Sequence, residues 1–146
     1  MPGWLKILLI VIVIIILMVV GVIVAAGIWF YRNKDALVAK TKAIAAEARE
    51  FGQNTDNQGC VNEMLSRYKA ETGFTSAISN GIFVRMCLDA SRHTPGFCDD
   101  VPRQTEFVKS GKWRIEQCRS AGLERDTHCQ NLFQPIQQFC EEKGPK

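Results

Sequence analysis

The chain has 146 residues, with 18 Lys and Arg against 15 Asp and Glu, for a net charge of +3. That length holds one domain plus a tail. So small an excess of positive charge gives no footing for nucleic-acid binding, which needs a concentrated basic face.

The first element is apolar. Residues 7–31, "ILLIVIVIIILMVVGVIVAAGIWFY", carry no charge. A helix of that length is about 37 Å long, which spans a hydrocarbon core of about 30 Å with some tilt. Trp4 lies at one end and Trp29 and Tyr31 at the other, where aromatic rings favour the interface. A cleavable signal sequence is the competing reading, with Val24, Ala25 and Ala26 as its cleavage site. The apolar stretch exceeds the usual ~7–15 residues of such a signal, and a charged leader is nearly absent. The expectation is therefore a permanent single-pass anchor over 1–31, with the lipid bilayer as its partner. Gly21 and Ala25 form a small-xxx-small pair inside it, which permits close helix approach.

Residues 32–55 are expected to form a helical stalk and hinge. "RNKDALVAKTKAIAAEAREFG" is rich in Ala, Lys and Glu, all good helix formers. Leu37, Ile44 and Phe51 recur every seven residues beside Ala48, and Gly52 is expected to stop the helix. "QNTDNQG" at 53–59 is polar and turn-rich and reads as a hinge.

The head is expected over 56–146. Val61, Met64, Leu65 and Tyr68 share one helical face, and Gly73 ends that helix. Thr75 or Ser76 would cap the next, whose apolar face reads as Ile78, Ile82, Phe83, Met86, Cys87 and Ala90. "HTPGFC" is a loop, with His93 exposed. Asp99 and Asp100 would cap a third helix with Pro102 in its first turn. Phe107, Val108, Ile115 and Cys118 would be its inner face, with a bend at Ser110-Gly111. Trp113 falls out of phase with that face, so Trp113 and Arg114 read as an exposed interface pair. Gly122 ends the helix, and the last one begins near Asp126. Cys129, Leu132, Phe133, Ile136 and Cys140 form its stripe, and Pro135 should kink it. No stretch alternates as a strand would. The fold class is all-α: a transmembrane helix continuing into a stalk, then a disulfide-stapled bundle of four or five short helices.

All six cysteines, Cys60, Cys87, Cys98, Cys118, Cys129 and Cys140, lie in the head. Zinc sites bring ligands in close pairs such as C-x-x-C, as thiol oxidoreductases do. Here successive cysteines are 27, 11, 20, 11 and 11 residues apart. Structural disulfides fit this spacing better than a metal or a catalytic thiol. Cys60 and Cys87 sit 13 and 14 residues either side of Gly73, level across an antiparallel pair. Around Gly122 the nested pairs are Cys118–Cys129 and Cys98–Cys140.

Disulfides need an oxidising compartment, which puts the head outside the cytoplasm. The Lys and Arg cluster at 32–49 argues the other way by the positive-inside bias, a tendency that the cysteines outweigh. No Asn-x-Ser/Thr sequon occurs, as suits a periplasm. The expected place is the bacterial inner membrane, N-terminus in. No catalytic constellation, cofactor motif or small-molecule site is legible. The functional expectation is a non-catalytic accessory subunit or adaptor whose partner is another membrane or periplasmic protein. A tethered enzyme, for thiol–disulfide exchange or with another active site the sequence does not reveal, is the alternative.

Overall fold

The computed structural model describes residues 3–144. Five helices follow in order: α1 (Gly3–Gln53), α2 (Asn57–Ala70), α3 (Phe74–Ala90), α4 (Phe107–Ser120) and α5 (Cys129–Lys143). The described residues contain no strand, only an isolated pairing of Asp56 with Arg92. The chain divides into two compact units, Met1–Lys40 and Thr41–Lys146.

In the first unit, α1 is a single helix whose apolar side chains from Ile7 to Tyr31 are exposed all round. By length and composition it can cross a membrane. Just past the apolar run, Asn33 Nδ2 donates to the Trp29 carbonyl at 2.8 Å, and Lys34 lies 4.4 Å from the centre of the Tyr31 ring.

The second unit takes in the end of the expected stalk. Ala48 and Gly52 are buried there, with Ile44 and Phe51 packed on the core. Gly52 does not stop α1, which continues to Gln53. Glycine serves close approach here: a Cβ at this position would meet the Cys87 carbonyl oxygen at 2.6 Å. The expected hinge is pinned on both sides. Asn57 N–H donates to the Arg92 carbonyl, and Arg92 N–H to the Thr55 carbonyl, both at 3.1 Å. The buried Asn57 side chain donates to Ser91 Oγ and accepts from Thr94 N–H. Asp56 then caps α2, its carboxylate accepting from Gly59 N–H at 2.8 Å.

α2 buries Val61, Met64 and Tyr68, as its periodicity requires. α3 differs from expectation twice. Gly73, with φ +124°, precedes its first turn, and neither Thr75 nor Ser76 caps it. Its buried face is Ala77, Asn80, Gly81, Phe83, Val84, Cys87 and Leu88, whereas Ile78 is half exposed. The helix is apolar on several sides, and its small residues let it approach α5 closely, so Ile78 turns outward while Ile82 is half-buried and Met86 packs on the edge of the core.

Residues 101–106 are irregular, and α4 starts only at Phe107. Asp99 and Asp100 stand exposed, well before that start, and do not cap it. No bend occurs at Ser110-Gly111. Ser110 is buried on the inner face, where it bonds the equally buried Gln137 of α5. That polar pair rotates α4, leaving Phe107, Val108 and Ile115 exposed. α5 runs unbroken through Pro135 and packs on both α3 and α4, while α2 packs on α3. Each large side chain sealed in this core contributes about 1.5–3 kcal/mol.

Candidate functional site: a groove on the disulfide-bonded head

The six cysteines form three bridges. Cys60–Cys87, Cys98–Cys140 and Cys118–Cys129 have Cα separations of 5.8, 5.4 and 6.0 Å. These are the pairs that helix register selects. The first joins α2 to α3, the last joins α4 to α5, and the middle one ties the 91–106 loop to the end of α5. Cys60, Cys87 and Cys129 are fully buried and Cys118 nearly so. Cys98 and Cys140 are half-buried and border a surface hollow with Asp99, Arg103 and Glu141. Among the described residues no cysteine is free, and no group of three metal-ligating side chains converges.

Gly21 and Ala25 lie in the first unit, and beyond the helix's own adjoining backbone no atom of the described residues comes within 4 Å of a Cβ built on Gly21. The expected interface pair is not an exposed anchor. Trp113 is half-buried, set edge-on to Phe133 with ring centres 5.8 Å apart. Arg114 is half-buried too, and its Nε is sealed without a partner among the described residues. Both were turned inward by the rotation of α4. Trp113 also borders a mixed hollow of about 320 Å³ with Gln58, Thr94, Phe97 and Asp100.

An apolar groove lies elsewhere, between α3 and α5. Its volume is about 440 Å³. One wall is α3, which contributes Ile78, Ile82 and Met86; Ala77 and Gly81 form the floor. The other wall is α5, with Asn131, Gln134, Pro135 and Gln138. Gly81 leaves the floor open: a Cβ there would come no closer than 3.6 Å, to Pro135 Cγ. Arg85 closes one end. Its guanidinium contacts Glu142 of α5 and lies 3.3 Å from Asp89. Burial alone would lower the Arg85 pKa, but Glu142 and Asp89 together raise it, so it stays cationic. Arg49 Nη2 reaches Met86 Sδ at 3.7 Å. The sequence does carry a signal for this groove. Phe74, Ile78, Ile82 and Met86 recur every four residues, but periodicity alone cannot tell an inner stripe from an outer one.

A second polar centre fixes the start of α5. Asp126 Oδ1 accepts from the Tyr68 hydroxyl and from His128 N–H at 2.8 Å, and from Cys129 N–H at 3.0 Å. Burial pushes the Asp126 carboxyl up, yet these three donors outweigh it and hold the group below its usual value. Burial, then the bond to Asp126, raises the Tyr68 hydroxyl.

No family model, curated protein or solved structure matches the chain.

Proposed function

We propose that this is a membrane-anchored, non-catalytic interaction protein, an accessory subunit or adaptor of a membrane complex, acting through its helical head. The observation that carries the reading is the groove. Ile78 is half exposed beside Ile82, Met86 and Pro135 on a head otherwise locked by three bridges. A concave apolar surface edged by a few polar side chains is the usual form of a binding site. α1 supplies the anchor, and the lipid bilayer is its partner. Three bridges favour an oxidising compartment, so the head faces away from the cytoplasm, in the periplasm of a bacterial inner membrane. Gentle extraction into nanodiscs followed by native mass measurement tests this. A co-purifying protein cross-linked to the head supports it, and a strictly monomeric particle opposes it.

Thiol–disulfide exchange is the second reading, favoured by one observation: Cys98 and Cys140 are half-buried beside a surface hollow. Mild reduction followed by mass-tag alkylation separates the two. Tagging confined to Cys98 and Cys140 would favour exchange, and six resistant cysteines would remove it.

A further inference from the structure

We infer that the α3–α5 groove takes a short, extended, uncharged segment of a partner protein, its main chain along α5 and its alternate side chains on α3. This rests on the contact role proposed above and specifies the ligand.

The α5 wall carries main-chain recognition chemistry. Asn131, Gln134 and Gln138 fall at i, i+3 and i+7 and stand exposed along the groove. Each primary amide offers donors and an acceptor, as a peptide group does. Gln137 differs: it faces inward, and its amide is taken up by Ser110 and the Pro102 carbonyl. Pro135 changes the main chain of the same wall. It has no N–H, so the Asn131 carbonyl loses its helical donor, and both residues border the groove. A helical ligand satisfies its own backbone and has no use for these groups. An extended chain presents an N–H and a C=O at every residue and must pair them.

The α3 wall sets the side-chain pattern. Ile78, Ile82 and Met86 are four residues apart, a rise of about 6 Å per step. Alternate side chains of an extended chain repeat every ~6.6 Å. Two or three apolar side chains at i, i+2 and i+4 therefore meet this wall in step. The wall is about 12 Å long, which seats about four extended residues.

Charge sets the remaining constraint. Arg85 is the one charged group among the lining residues, and its guanidinium is already held by Glu142 and Asp89. A charged ligand side chain would lose hydration between the apolar α3 wall and the neutral amides of α5, and Arg49, on Met86, offers a counter-charge at the rim alone. The ligand is neutral where it lies in the groove.

The test uses the full chain in nanodiscs and capped nonapeptides in which Leu or Val alternates with Ser or Thr. Matched copies carry N-methyl groups on alternate peptide nitrogens, Lys or Glu in place of Leu, or a helix-enforcing staple. The plain uncharged peptides should bind, with N-methylated and charged copies at least tenfold weaker. Ile78→Lys and Gln134→Ala should each weaken binding at least tenfold, and both positions lie outside the core. Gly81→Ala should keep or raise the melting temperature, because its methyl meets Pro135 at ordinary contact distance and alanine favours helix. The same methyl narrows the floor and should weaken binding. Equal binding of N-methylated copies, preference for the stapled helix, or no binding at all would overturn the inference. A co-purifying protein whose cross-links avoid Ile78 and Gln134 would overturn it while leaving the contact role standing. A monomeric particle that nonetheless binds the peptides would support the groove and count against the accessory role.

Discussion

Gly52 lies against Cys87 so closely that a Cβ on it would meet the Cys87 carbonyl oxygen at 2.6 Å and Ala90 Cβ at 3.0 Å. This contact sets the end of α1 on α3, beside the Cys60–Cys87 bridge. A backbone carbonyl cannot move aside as a side-chain tip can. Gly52→Ala should therefore destabilise the head by about 1–3 kcal/mol, despite a helix-propensity gain of about 1 kcal/mol. A fall in the urea midpoint at unchanged slope would show it. A stabilised variant would mean that the end of α1 is free to shift.

The Tyr68–Asp126 bond gives a pH dependence. Asp126 has a depressed pKa in the folded head. Its contribution is complete above the unfolded carboxyl value of about 3.9 and is lost as pH falls through the lower folded value. Tyr68 has a raised pKa, so stability should also fall as pH rises past about 10. Asp126→Asn should cost about 1–2 kcal/mol at neutral pH, since bonds to a charged acceptor are the stronger ones, and should flatten the acid limb. An unchanged acid limb in thermal melts from pH 2 to 7 would show that other carboxylates govern it.

Gln137 is fully buried and holds the 101–106 segment and α4 together through Pro102 and Ser110. Gln137→Leu keeps nearly the same volume but strands a carbonyl and a hydroxyl. A loss of about 1–3 kcal/mol is expected, with faster amide exchange in α4 than in α2. Uniform loss of protection across the head would contradict the local role.

The fold class was legible because two helices mark their own inner faces. In α2 and α5 the cysteines and the large apolar residues share a stripe, so periodicity and bridge register agree. α3 and α4 mark theirs only in part, burying Phe83, Cys87 and Cys118 as expected, and the rest departs for opposite reasons. α3 has apolar residues on several sides, and its inner face uses Ala77, Asn80 and Gly81, which carry little hydrophobic signal. α4 buries Ser110 opposite Gln137 and half-buries Gln117, a polar face that a hydrophobic count places outside. Both rotations follow from what α5 presents to each helix, and no local window holds that information. The groove is hidden with them, since its wall reads as core in the sequence. Its amide row and Pro135 lie in plain sequence, but their meaning needs the facing helix.

Removing the Cys60–Cys87 bridge tests the staple directly. It closes 27 residues between two fully buried positions, worth about 3–4 kcal/mol by loop entropy. The double substitution Cys60→Ala, Cys87→Ala should lose at least that much and still fold on the two remaining bridges. A loss under about 1 kcal/mol would mean that the unfolded chain is already restrained there.

Topology decides whether a contact role outside the cytoplasm can hold. A membrane-impermeant protease, applied to intact spheroplasts, should remove the head beyond Tyr31 and spare the anchor, and the released head should migrate with all six cysteines blocked to alkylation. A head that survives until the membrane is broken, with thiols open to alkylation, would place it in the cytoplasm and make the Lys and Arg after the span the better guide.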